Sequence, residues 1–237
     1  MLKFRNLTVV GTSHVSIDSV REVERVLLEV RPEIVALELD FPRFRALLSP
    51  KGHKPTLGDV RRLGLKGFLF NLIGAWVEKK IGEVVGVSPG SEMVRAIAVS
   101  QKIGADIALV DQDISITLSR LSKAITWKER FRFVGDLLRG FFVRKPVIDF
   151  DLRKVPPKDV IDRLVGKVKR DYPSFYRVLI AERNVYMSKN LYNLLSLNKK
   201  VVAVVGAGHE EELIELIKGY ERPQKAKLVL LKHHKNG

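Results

Sequence analysis

Two of the five histidines, His14 and His209, each stand three residues after a glycine that closes a short aliphatic run, as Gly11-Thr12-Ser13-His14 and Gly206-Ala207-Gly208-His209. A glycine there permits a sharp turn and lets a backbone or ligand come close, and the histidine falls at or near the start of the next helix. The other two aliphatic runs close on Glu38-Leu39-Asp40 and Asp111-Gln112-Asp113. A single polar residue at such a place usually marks only where the chain leaves a core. Imidazole and carboxylate at all four ends are more specific, because together they suit a first-row divalent ion such as Mn, Co or Zn. An ion of that kind lowers the pKa of bound water and polarises a carbonyl. His53, His233 and His234 fall in polar segments and are not part of the pattern.

Competing chemistries are excluded by the residues themselves. Gly86-Val87-Ser88-Pro89-Gly90 has the spacing of a serine nucleophile elbow, but the residue after that serine must donate a backbone N–H to the oxyanion, and proline has none. Gly206-Ala207-Gly208 opens like a dinucleotide fingerprint, yet Glu210 and Glu211 follow, which would set carboxylates against a pyrophosphate. With no cysteine in the chain, thiolate metal sites, iron–sulfur clusters, disulfides and a cysteine nucleophile are all ruled out. Four further polar clusters are candidates: Asp40 with Arg43, Glu92 before Met93, Thr117 with Arg120, and Glu182-Arg183-Asn184. A helix cap or an intrahelical ion pair accounts for any one of them as well as catalysis does.

The elements that must position these residues alternate. Leu7–Val10, Ile34–Leu39, Asp106–Val110 and Val201–Val205 read as buried strands, and helical periodicity over 15–30, 41–48, about 57–85 and 91–103 separates the first three. Leu228–Leu231 reads as an edge strand. The fold class is α/β, a mostly parallel central sheet flanked by helices, with ligands expected at the carboxyl edge of the strands. Residues 1–237 read as one domain, with a basic helical insertion at 113–199. Within the insertion, Trp127, Phe131, Val134, Leu138 and Phe141 share one helix face, which is expected to pack into a core.

Lys and Arg number 42 against 27 Asp and Glu, a net +15. Residues 113–199 alone hold 19 basic and 9 acidic side chains, so +10 of the charge sits there. That favours an anionic membrane surface or a solvated basic face over specific nucleic-acid binding, for which no helix-turn-helix, RRM or OB signature is present. The best apolar run, Leu65–Val77, is about 13 residues long and broken by Lys66, Gly67 and Asn71, too short to cross a bilayer. The N-terminus lacks a secretory pattern. The expected location is the cytoplasm, peripheral to a membrane at most.

The ordered motifs GTSHVS (11–16), ELDFPR (38–43), PGSEM (89–93), DQDISITLSR (111–120), ERNVYM (182–187) and VVGAGH (204–209) resemble the TraB/PrgY family. That family is related to the Tiki proteins and more distantly to the ChaN and erythromycin-esterase group. The resemblance implies a metal-dependent, peptidase-like hydrolase. It makes His14, His209 and Glu38 candidate metal ligands, and Glu38 or Glu92 the general base. Arg43, Arg120 and Arg183 would orient carboxylates or steady an oxyanion, with Glu182 beside them in the ERN motif. One departure is Gln112, where such proteins often carry Arg, which weakens an oxyanion role at that position. TraB/PrgY members resemble inhibitors of peptide pheromone signalling, so capture of a peptide or small ligand without cleavage is the competing reading. A homo-oligomer is left open.

Overall fold

A computed structural model of the chain describes residues 1–13, 16–49, 90–142 and 157–221, with backbone alone at 137–142. Strands β1 (Leu2–Phe4), β2 (Leu7–Thr12), β3 (Ile34–Leu37), β4 (Asp106–Leu109) and β5 (Val201–Gly206) form one sheet in the order β1-β2-β5-β3-β4. All neighbours pair in parallel except β1, which folds back on β2 with Phe4 opposite Leu7. Arg5 makes that reversal with φ at 53°. Three residues are too few to show a strand period, which is why β1 was not legible in the sequence.

Helix α1 (Ile17–Val30) joins β2 to β3, and α2 (Phe41–Leu48) and α3 (Ser91–Ile103) lie between β3 and β4. Before β5 come α4 (Ile114–Ala124), α5 (Trp127–Phe142), α6 (Lys158–Asp171), α7 (Pro173–Tyr176), a π-turn at Arg177–Ala181 and α8 (Glu182–Leu195), and α9 (Glu210–Glu221) follows it. Strand side chains alternate between two layers. Val10, Val35, Leu37, Val202 and Val204 face α1 and α3, through Val23, Leu27, Met93 and Ile97. Leu7, Val9, Ile34, Ala36, Ala203 and Val205 face α8 and α9, through Met187, Leu191, Leu213 and Ile217. Both layers exclude water, so the strands are continuous in aliphatic residues.

The chain lays down β2, β3 and β4 in one direction with their helices on one face, then returns to insert β5 between β2 and β3 with helices on the other face. The loops after β2 and β3 therefore leave toward one layer and the loop after β5 toward the opposite one. A crevice opens at such a switch point, beyond the strand C-termini. Residues 57–85, Gly86–Pro89, Leu65–Val77 and Leu228–Leu231 lie outside the described residues.

The expectation for α5 is corrected. Trp127, Phe131 and Val134 are 69%, 72% and 52% exposed, so this part of the apolar stripe points outward, while the side chains of Leu138 and Phe141 lie outside the described residues. A capping box decides the rotation. Thr126 N and Oγ1 donate to Glu129 Oε2 at 2.9 and 2.8 Å, and Glu129 N donates back to Thr126 Oγ1 at 3.3 Å. The same carboxylate accepts from Ser174 N at 2.7 Å, which pins the Glu129 side of α5 inward against α7. Phe133, on that side, stacks on Phe175 with centroids 6.0 Å apart. Burial alone would raise the Glu129 carboxyl, but the hydrogen bonds from Thr126 and Ser174 outweigh it and hold it below the usual carboxylate range.

Candidate functional site

Glu38 follows directly on β3 and is 2% exposed. Its Oε2 accepts from Gly206 N at 2.6 Å, tying the end of β3 to the end of β5. Its Oε1 is hydrogen-bonded by Arg183 Nη2 and stands 3.4 Å from His209 Nε2. His209 reaches this point from the turn after β5 and is itself buried. The ring's other nitrogen, Nδ1, lies 2.5 Å from Asn184 Oδ1. Asn184 donates its amide nitrogen to Glu212 Oε2 at 2.7 Å, and a carboxylate can only accept there. Asn184 Oδ1 therefore faces the imidazole and accepts from Nδ1–H, which leaves Nε2 as the ring nitrogen directed at Glu38. Tyr176 OH donates to the same Glu212 oxygen at 3.4 Å.

Beside this pair lies a second carboxylate. Asp111, just past β4, accepts from Arg183 Nε at 3.0 Å and Nη2 at 2.7 Å, from Arg43 Nη1 at 3.1 Å and from Gln112 N at 2.8 Å. Arg183 also donates to Leu179 O at 3.1 Å. Burial works against its charge, but Glu38 and Asp111 outweigh that and hold the guanidinium above its usual range. The π-turn at Arg177–Ala181 runs straight into α8 at Glu182. An extra residue per turn re-aims the side chains that follow, which is a frequent device at functional sites.

Of the residues proposed from sequence, the fold brings Glu38, Arg43, Arg183 and His209 together. Arg120 and Glu182 pair with each other at 3.1 Å on the surface. Glu92 is buried in the first turn of α3. His14 lies outside the described residues. Asp40 is a structural cap, its two oxygens accepting from Arg43 N and Ile114 N at 2.7 Å each, so it starts α2 and α4 at once. Gln112 is buried and donates to Thr117 Oγ1 at 3.0 Å. Gly11 serves close approach, since a Cβ there would stand 2.5 Å from Glu210 Oε2. Asp111 and Asn184 were candidates by position only, without the roles they take here as the shared anchor of two arginines and the partner of the imidazole, and Glu212 was not proposed. Asp111 and Asn184 do stand within the quoted motifs, whereas nothing in the sequence separates Glu212 from Glu210 and Glu211.

Residues 3–218 match the model of the TraB/PrgY/gumN family. The chain belongs to that family. It is 40% identical to an uncharacterized protein of Methanocaldococcus jannaschii, across 91% of this chain and 54% of the relative. A TraB domain-containing protein of Homo sapiens is 27% identical, across 85% of this chain and 60% of the relative. The TraB-family chain thus spans 54–60% of the length of these curated relatives. Among its described residues no helix is long and apolar enough to cross a membrane.

The donor set can be tested against a metal. Two ligands of a tetrahedral ion with bonds of about 2.1 Å stand about 3.4 Å apart, and Glu38 Oε1 and His209 Nε2 are separated by 3.4 Å. Among the described residues no group of three or more such donors is assembled. The spacing of the pair is that of two corners of a coordination sphere, and His14, the third candidate ligand, lies outside the described residues.

Proposed function

We propose that this TraB-family chain is a divalent-metal-dependent hydrolase that cleaves a peptide or other amide bond. The observation that carries the reading is the buried pair of Glu38 Oε1 and His209 Nε2, spaced as neighbouring ligands, with the imidazole oriented by Asn184 and Glu212. Glu38, His209 and His14 would hold Mn, Co or Zn, which when bound supplies a water of lowered pKa and a polarised carbonyl. Glu92 from α3 would accept the proton of the attacking water, or Glu38 in an arrangement where it does not ligate the ion. As the C–N bond breaks, the same carboxyl returns a proton to the departing nitrogen. Arg183 spends its donors on Glu38, Asp111 and Leu179 O, so it positions the carboxylates. Arg43, with its side chain 37% exposed, has donors left to steady an oxyanion or a substrate carboxylate. Arg120 and Glu182 take no part in this scheme.

One observation favours capture without cleavage: Arg183 and Gly206 N–H already satisfy both oxygens of Glu38. A peptide or small molecule would then be sequestered in the same crevice. A cytoplasmic location is part of this proposal, and the cysteine-free sequence fits a reducing compartment. The two readings separate in one experiment, with metal content measured on protein purified without chelator and cleavage of a peptide library followed with added Mn or Co. Hydrolysis requires turnover that chelator abolishes and that His209→Ala and His14→Ala lose. Capture leaves peptide binding intact under chelator with no product.

A further inference from the structure

Helix α5 turns its most apolar side away from the molecule. Trp127, Phe131 and Val134 form one stripe along it, and each is more than half exposed. An aromatic stripe in water is unfavourable until something apolar covers it. Cations border it on both sides: Lys128 and Arg132 along one flank, and along the other Arg130, whose guanidinium lies 4.7 Å from the Trp127 ring. Arg132 also donates to Asp171 O at 2.9 Å and stands 3.9 Å from the Asp171 carboxylate, in the last turn of α6 that carries Lys169 and Arg170 as well. The acids of α5 do not offset this border. Glu129 is buried and hydrogen-bonded inward, and Asp136 accepts from Tyr172 OH at 2.5 Å.

Apolar rings edged by cations match a surface that is apolar below and negative above. We propose that α5 seats in the plane of an anionic lipid surface, with Trp127, Phe131 and Val134 at the acyl boundary and Lys128, Arg130 and Arg132 among the headgroups. Long basic side chains lie along apolar surface while their charges stay in the headgroup layer. A single helix of this size gives reversible, salt-sensitive binding rather than a permanent anchor.

The test is flotation of the 237-residue chain with vesicles of phosphatidylcholine alone and of phosphatidylcholine mixed with phosphatidylserine. Binding is expected to the mixed vesicles only and to be lost in high salt. Partitioning should fall about tenfold in the double variant Trp127→Ser/Phe131→Ser and roughly fivefold in Lys128→Ala. In a Trp76→Phe background the sole remaining tryptophan, Trp127, should shift its emission to the blue on addition of anionic vesicles. The proposal is overturned if the wild-type chain ignores anionic vesicles, or if the double variant binds them equally well. It is also overturned if light scattering shows a dimer that the double variant dissociates while vesicles have no effect. That result would make the stripe a contact between copies. The salt and emission readouts need neither α5 stripe substitution, so they decide the matter even if the double variant folds poorly.

Discussion

Glu182 and Arg183 are consecutive residues of α8, yet they make opposite kinds of ion pair. Glu182 faces outward to Arg120 and, at 3.8 Å, to Arg177, with its partners more than half exposed. Arg183 faces inward to Glu38 and Asp111, both with side chains 2% exposed. About 100° of rotation on a helix separates a pair that water can replace from one that it cannot. Counting charges in the motif treats the two alike. Burial assigns one to the surface and makes the other the strut that joins the ends of β3 and β4.

The largest expected effect breaks the inward pair. Arg183→Ala leaves Glu38 buried without its counter-ion and Asp111 with Arg43 alone, and should cost about 3–5 kcal/mol in a urea titration. Asp111→Ala removes the acceptor shared by Arg43 and Arg183 but leaves Arg183 on Glu38, so a smaller loss of about 2–3 kcal/mol is expected.

Glu129 sharpens the comparison from a third position, as a buried carboxylate held by neutral donors. Its folded pKa is depressed, so its contribution is fully present above the ordinary Glu value and is lost as pH falls through the folded value. Glu129→Gln should lower stability at neutral pH by about 1–2 kcal/mol. The gap to wild type should narrow as the solution is acidified, read from melting midpoints over pH. Arg120→Ala closes the series, with a cost of about 0.5 kcal/mol or less that fades with added salt. A loss there as large as that of Arg183→Ala would mean that burial is not what distinguishes the two pairs.

Much of the fold was legible because burial on both faces leaves an unmistakable record. β3 and β5 are unbroken aliphatic runs, and helices 91–103 and 41–48 lie where their periodicity and caps put them. The parallel α/β class follows from that alternation. At the site, Glu38, Arg43, Arg183 and His209 were named from residue type at strand ends and in ordered motifs. Asn184 and Glu212 act through each other on the imbalance of a ring with two nitrogens, and a relay across two helices has no spacing to detect. The stripe on α5 was legible as a stripe, but its direction was not. Apolar periodicity says that one side differs from the other, and the Thr126–Glu129–Ser174 contacts decide which side is turned in.

By itself the chain determined which segments become strands and helices, and which polar residues stand where those segments end. Both depend on local pattern and on the need to keep apolar runs from water. Tertiary structure alone decided that β5, last in sequence among the described strands, slides between β2 and β3. Strand order is a matter of how whole layers of side chains pack and of crossover handedness, and no residue encodes it. That placement sets Gly206 and His209 against Glu38, 168 residues from Gly206 along the chain, and so makes one site out of two separate motifs.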